Sequence, residues 1–457
     1  MKRNRATIFA AASAALLLSS CAAGMGGSNN AETEEASGPF DWKRYDGTSI
    51  NVMLNEHPWT NGLKDRLGEF TELTGITVDL QTYSEDLYVD KMEQAIRTSN
   101  APGVYMIQMD DFGASQFDAG LMAPLTPLLE NPSLTADDYN FADFPEGLVS
   151  PGVLPAGATD AQVFEIPIST ESYILFYNKD LVDKYLGGKL PETMAELTVA
   201  AQKITDESNG EVFGSVVRGV RSDGLRDTLT SFVLNEWPLD RPIEAPYNVW
   251  FDGSWDSPRL DDPAIVDGLN AYAQLIKAGP SNKFNIDWQD ATSLFQQGKA
   301  AFFADASVFG PQFEDAGQSA VAGKTGYAML PAGSEPGGTG VWSWGLAMAE
   351  NSANHGANWL FMQWATSEQM TADLGAFTGG APRQSAATNP AYTDALNSEF
   401  VEVTTDAAAT ARTTAVIRPG WKPGIFVIVD ATLAIANGTP ADEAMSEANE
   451  AMKSALK

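Results

Sequence analysis

The chain has one cysteine, two histidines and few basic residues, and each scarcity removes a class of function. A single Cys, Cys21, rules out any disulfide within the chain. His57 and His355 stand alone, with no second His at metal-ligand spacing, which removes most zinc enzymes. With 28 Lys and Arg against 60 Asp and Glu the formal net charge is −32, so a nucleic-acid partner is not expected. No Gly-x-Ser-x-Gly, Gly-x-Gly-x-x-Gly or Asp-x-Asp-x-Asp-Gly occurs, so the serine-hydrolase elbow, the dinucleotide turn and the calcium loop are all missing. The segment from Gly317 to Gly323-Lys324-Thr325 has one residue too many for a phosphate-binding loop and reads as a surface turn. Only paired carboxylates escape this elimination, because glycosidases assemble them from distant positions.

What is present is a globular mixture, 44 % hydrophobic and 19 % charged, long enough at 457 residues for two or more domains with their own cores. Lys2, Arg3 and Arg5 precede an apolar run from Ala6 to Leu18, followed by Leu18-Ser19-Ser20-Cys21. The run is shorter than the ~20 residues that span a bilayer, so residues 1–20 read as a secretory signal. The Cys at the cleavage position resembles the lipobox of bacterial lipoproteins, in which Cys21 is diacylated and becomes the new N-terminus. Residues 21–44 then form a flexible tether, poor in groups to bury. The expected location is the outer face of a cell membrane, in a Gram-positive cell, where an untethered protein would diffuse away.

The body alternates strand and helix patterns. Ile50, Val52 and Leu54 recur with period two, and Leu63, Leu67, Phe70 and Leu73 follow at helical spacing up to Gly75. A strand over 76–80, a helix carrying Leu87, Met92 and Ile96, and a buried strand from Val104 complete a β-α-β-α-β order. The pattern restarts after Pro167, with Tyr173 to Tyr177 as a strand. Asp262-Pro263 is a cap followed by a first-turn proline. The fold class is α/β.

Several segments in order resemble the extracellular solute-binding proteins of ABC importers, in the family-1 group typified by maltose-binding protein. They include Pro102-Gly103-Val104, Phe117 to Leu125, and Ile166-Pro167 followed by Tyr177-Asn178-Lys179-Asp180-Leu181. Leu190 to Leu197, Phe295 to Ala301, Trp364 to Ser367 and Gly380 to Ser385 extend the match over roughly residues 45–455. Phe295 to Asp305 and Val341 to Ala347 are similar to the branch associated with sugar alcohols, which also contains oligosaccharide binders. The resemblance implies a two-lobed periplasmic-binding-protein fold with a hinge and an interlobe cleft. It places lobe one at 45–166 plus 305–344 and lobe two at 167–304 plus 345–457, with crossings at Pro167, near 303–307 and near 343–347. The implied function is a receptor that closes on a carbohydrate, after which an ABC permease recognises the closed form.

A sugar or polyol presents apolar C–H faces and many hydroxyls, which aromatic rings, carboxylates and Arg match. The ligand-binding candidates begin with Glu56, His57 and Trp59 after the first strand, and Asp110 and Asp111 at a strand's carboxyl end. Glu171 and Tyr173 follow the first crossing, and Asp305 ends a strand. Trp342 and Trp344 sit at a crossing, Arg383 lies in Pro-Arg-x-Ser, and Tyr83 and Trp421 lie in loops. A core or surface role is the alternative for each. No cofactor or metal is implied, no catalytic residue is assigned, and a monomer is expected because a hinged receptor needs free lobes. Two other readings stay open at this point: a carbohydrate-active enzyme with paired carboxylates, and a ligand-presenting sensor or adhesin on the same fold.

Overall fold

The structure, a computed structural model, describes residues 36–243 and 246–456. The expected signal at 1–20, Cys21 and most of the tether lie outside the described residues. Thirteen strands run in chain order as β1 (Ser49–Asn55), β2 (Thr77–Tyr83), β3 (Val104–Ile107), β4 (Val153–Leu154), β5 (Gln162–Val163), β6 (Ile166–Pro167), β7 (Glu171–Asn178), β8 (Phe213–Ser215), β9 (Ala300–Ala306), β10 (Thr325–Ala328), β11 (Thr339–Trp342), β12 (Gly345–Met348) and β13 (Ala411–Thr413). They form two main sheets. The first has the order β2-β1-β3-β12-β6, with β1 parallel to β2 and β3 and β12 antiparallel to β3 and β6. The second has the order β13-β11-β7-β9-β8, and β10 also pairs with β7.

β7 organises the second sheet. Its sequence Glu-Ser-Tyr-Ile-Leu-Phe-Tyr-Asn is buried throughout except at Tyr177, the signature of a central strand covered on both faces. β9 lies antiparallel along one edge, with Tyr173 opposite Ala306, while β10 and β11 share the other edge. Helices cover the sheets where the sequence supplies caps. The Thr193 hydroxyl accepts from the Glu196 amide at 3.2 Å to start the helix Met194–Glu207. The Asp262 carboxylate accepts from the Ala264 amide at 3.1 Å ahead of Pro263, at the start of the helix Pro263–Lys277. The helical pattern over 63–73 proves to be two helices, Pro58–Lys64 and Leu67–Thr74, the second ended by Gly75 at φ 75°.

Strand pairing redraws the expected division of the lobes. Within 305–344, β10 and β11 belong to the second sheet, and β12 at 345–348 belongs to the first. The helix His355–Ala365 packs on β12 and the helix Glu368–Thr378 on Pro58–Lys64, while Lys422–Ala436 packs on Pro263–Lys277 and on Ala441–Ala455. The ladder of β7 is the physical reason: it holds β9, β10 and β11 together, so no crossing occurs at 303–307. The chain passes between sheets at 168–170, at 343–344 and through the segment 379–397. These passages touch one another. The Ile168 amide donates to the Trp344 carbonyl at 2.8 Å, and the Ser343 hydroxyl donates to the Ser169 carbonyl at 2.7 Å. Gly380 comes so close to the Thr170 carbonyl that a Cβ there would lie 1.9 Å from it.

The tether also ends earlier than expected. Phe40 and Trp42 stack edge to face at 5.0 Å and lie half-buried on the first core, and an Arg44 Nη donates to the Pro39 carbonyl at 2.9 Å. An aromatic pair of this size buries too much apolar surface to remain in solvent.

Arg383, expected in the cleft, is a staple inside lobe one. Its Nε donates to the Thr366 carbonyl at 2.7 Å, and its two Nη atoms donate to the carbonyls of Asn140 (2.8 Å) and Tyr139 (2.9 Å). The guanidinium lies over Phe144, 4.1 Å from the ring centroid. Truncation strands the buried carbonyls of Thr366 and Tyr139 and removes the bond to Asn140, so Arg383→Ala is expected to cost about 3 kcal/mol of unfolding free energy in urea titration. Lys cannot reproduce the planar fork and is expected to restore little of this. An unchanged urea midpoint would refute the staple.

Candidate functional site

Parallel strands in an open α/β sheet deliver loop residues to one edge, where ligands bind. In lobe one the carboxyl ends of β1, β2 and β3 lead into Glu56-His57, Glu85, and Asp110-Asp111, all facing the second lobe across a cleft. Asp110 works twice. Its Oδ1 caps the helix Asp111–Asp118, accepting from the Phe112 amide at 2.8 Å, and its Oδ2 lies 2.8 Å from an Arg226 Nη, an ion pair outside hydrogen-bond alignment.

Arg226 begins the lobe-two helix Arg226–Glu236, every residue of which is buried. Besides Asp110, its guanidinium meets Asp111 Oδ1 at 3.4 Å, the Gln108 side-chain oxygen at 3.2 Å and Asp227 Oδ1 at 3.1 Å. It also lies over the Trp342 ring at 4.8 Å, a cation–π distance. One side chain thus joins lobe one, lobe two and the hinge. A second lobe-two cation, Arg218, is gripped in bidentate fashion by Asp305 at 2.8 and 2.9 Å and approaches Glu85 of lobe one at 3.6 Å. At the rim, Lys422 Nζ lies 3.4 Å from Asp90 of lobe one and 3.1 Å from Asp223 of lobe two.

The hinge supplies apolar walls. Trp342 and Trp344 are set edge to face at 6.3 Å, and both line the cleft. Beside them a hydrogen bond at 3.1 Å joins His57 Nε2 to Glu171 Oε1, while His57 Nδ1 accepts from the Trp59 amide at 3.2 Å. The Ser169 hydroxyl donates to the same Glu171 oxygen at 3.0 Å. The cleft holds one space around His57, Glu171, Arg218 and Trp288 and another around Asp111, Arg226 and Lys422, both open to solvent, of about 400 and 810 Å³ with that solvent counted. Burial and the neighbouring Asp110 push the Asp111 carboxyl up to about 8, and burial pushes half-buried Glu85 up to about 7. Burial also raises Asp227.

Of the residues singled out in the sequence, Glu56, His57, Asp110 and Asp111 line the cleft from lobe one. Glu171, Tyr173, Trp342 and Trp344 line it from the hinge side. Asp305 stands one step behind, reaching the cleft through Arg218. The rest lie elsewhere. Trp59 is 1 % exposed, a member of the first core. Trp421 is fully buried in the second core against Phe251, at 5.8 Å. Tyr83 is half-buried, its hydroxyl donating to Gln81 Oε1 at 3.3 Å. Sequence reasoning missed Glu85, Arg218, Arg226, Asp227 and Lys422. Glu85 carried a signal, since it follows β2 as Glu56 follows β1. The two arginines carried none, because their roles depend on pairing across the lobes. Among the described residues no group of three or more His, Cys, Asp or Glu is placed to hold a metal, and no helix is long and apolar enough to cross a membrane.

The family model described as "Bacterial extracellular solute-binding protein" matches residues 56–372, well over half of the chain. The chain belongs to this family. Among its relatives is the erythritol/L-threitol-binding protein of Mycolicibacterium smegmatis, 31 % identical over 366 residues, or 76 % of this chain and 73 % of the relative. The mannitol-binding protein of Pseudomonas aeruginosa is 28 % identical over 231 residues, half of each chain. A solute-binding protein of Agrobacterium vitis, solved with bound D-mannitol, superposes with TM-score 0.74 at 25 % identity, covering 89 % of this chain and 98 % of its own. One from Agrobacterium radiobacter, solved with ribitol, shares the fold with TM-score 0.73 at 21 % identity, covering 90 % of this chain and 99 % of its own. The expected two-lobed solute-binding fold therefore holds. The family and these relatives are binding proteins, which displaces the carbohydrate-active enzyme.

The electrostatics of this cleft predict that its closure is sensitive to pH. Opening the lobes rehydrates Asp111 and returns it toward the ordinary aspartate range. The raised value belongs to the closed form, so closure takes up a proton. It is favoured most at or below the ordinary range of about 4 and weakens as pH rises through about 8. Small-angle scattering is expected to show a larger radius of gyration at pH 9 than at pH 5, and Asp111→Asn to flatten the profile. A wild-type radius constant over that range would count against the linkage.

Proposed function

We propose that this protein is the extracellular receptor of an ABC importer for a polyol or small sugar, captured between the lobes and handed in the closed form to the membrane permease. The observation that carries the reading is the pairing of Trp342 and Trp344 with carboxylates and guanidinium groups in one interlobe cleft. The indoles offer flat apolar surface to C–H faces, and buried acids accept hydrogen bonds from hydroxyls. Two relatives named for erythritol, threitol and mannitol, and a neighbour solved with D-mannitol, support a linear polyol as the ligand class. In this reading Glu171, Asp110 and Asp111 accept from ligand hydroxyls, Arg226 donates to them, and Trp344 stacks on the carbon chain. The lobe division that follows from the sheets is 36–167 with 345–378 for lobe one and 171–342 with 398–456 for lobe two.

Titration of the soluble body with erythritol, L-threitol, ribitol, mannitol, sorbitol and maltose, followed by calorimetry and Trp fluorescence, is expected to give saturable binding of a linear polyol recovered intact. Trp344→Ala is expected to weaken it about tenfold or more. Turnover of the ligand, or silence across the panel, would sink the reading.

We also place the mature protein on the outer face of the membrane through a diacylated Cys21. Metabolic labelling with palmitate is expected to mark the wild type, and Cys21→Ser to release the protein into the medium. A membrane-bound, unlabelled Cys21→Ser protein would argue for another anchor.

A further inference from the structure

We infer that the cleft sorts its ligands by charge, taking neutral polyols and their amino-deoxy derivatives while rejecting the corresponding polyhydroxy acids. The inference rests on this cleft being the ligand site proposed above. Two guanidinium groups and an ammonium face the cleft, and such groups are ordinarily receptors for carboxylates. Here each is already engaged. Asp305 holds one edge of Arg218, the Nε and one Nη, at 2.8 and 2.9 Å, and the other Nη donates to the Gly224 carbonyl at 3.2 Å and faces Glu85 at 3.6 Å. Arg226 is surrounded by Asp110, Asp111 and Asp227 within 3.4 Å. Lys422 is shared between Asp90 and Asp223.

An incoming carboxylate would have to displace one of these acids and leave it buried without its cation, which is strongly unfavourable. It would also enter a space that already repels negative charge. Asp111 is faced by Asp110 from its own lobe and by Arg226 and Asp223 from the other, and Gln108 and Asp227 line the same space. Glu85 is faced by Arg218, Asp223, Asp227 and Asp305. The acids outnumber the cations, and the upward shift of Asp111 and Glu85 reflects burial together with this crowding. A neutral hydroxyl asks nothing of the balance, since it donates to whichever carboxylate oxygen it meets. A ligand ammonium improves the balance, because it takes the place of the protons that Asp111 and Glu85 would otherwise retain.

The test compares three ligands of equal chain length by calorimetry at neutral pH: D-mannitol, D-mannonate and 1-amino-1-deoxy-D-mannitol, with erythritol and erythronate as a second pair. The acids are expected to bind about a hundredfold more weakly than their polyols. The amine is expected to stay within about tenfold of mannitol and to gain on it as pH rises toward 9. Asp223→Asn, a rim change that leaves Lys422 with Asp90 alone and removes one negative charge facing Asp111 and Glu85, is expected to narrow the gap between mannonate and mannitol. An acid that binds as tightly as its polyol overturns charge selection and leaves the polyol receptor standing. Tight binding of an acid with no binding of any polyol overturns both readings, as does silence toward all five ligands.

Discussion

The closed arrangement turns on one buried guanidinium. Arg226 is placed by the first turn of a lobe-two helix, yet most of what satisfies it belongs elsewhere: Asp110, Asp111 and Gln108 in lobe one, Trp342 at the hinge. A guanidinium taken out of water without such partners would be costly, and with them it is held from three sides. Closure and charge satisfaction are therefore one event. Opening must return Arg226, Asp110 and Asp111 to water together, and Arg218 with Glu85 and Lys422 with Asp90 part at the same time. The two states are separated by the exchange of several ion pairs for hydration, which favours two discrete positions over a continuum.

The lobe-one acids owe their positions to the sheet. β1, β2 and β3 run parallel, so all three carboxyl ends face the same way and each hands its loop to the cleft. Asp110 shows how structural and functional demands share a residue. One oxygen caps a helix and the other meets Arg226, so its geometry is fixed before any ligand arrives. Preorganisation of this kind lowers the ordering cost of binding.

Much of the fold was legible from periodicity and caps. β1, β2, β3 and β7 were read as strands, Asp305 was placed at the end of another, and the start of the helix at Pro263 was read from its cap. The helix Arg226–Glu236 was not. It is buried on every side and carries Arg, Asp, Thr, Ser, Asn and Glu among its apolar residues, so no polar face contrasts with an apolar one. The lobe boundaries failed for a different reason. Which sheet β10, β11 and β12 join is decided by pairing with strands more than a hundred residues away, and local pattern carries no such information. In the site, strand-end acids and hinge aromatics were legible by position. Trp59, Trp421 and Arg383 were not separable from cleft residues, because an indole or a guanidinium looks the same in sequence whether a ligand or the core receives it.

The three chain passages between the lobes have a mechanical consequence. Two of them, at 168–170 and 343–344, are only a few residues long and are bonded to each other through Ile168, Trp344, Ser343 and Ser169. The third is long, but it is pinned against the first where Gly380 meets Thr170. Like a door on adjacent knuckles, the lobes keep one rotational degree of freedom while sliding and twisting are blocked. Closure is then confined to a single arc, whatever fills the cleft. The long third passage can lengthen or shorten over evolution without moving the axis, so the loops that shape the cleft are free to change while the stroke stays the same.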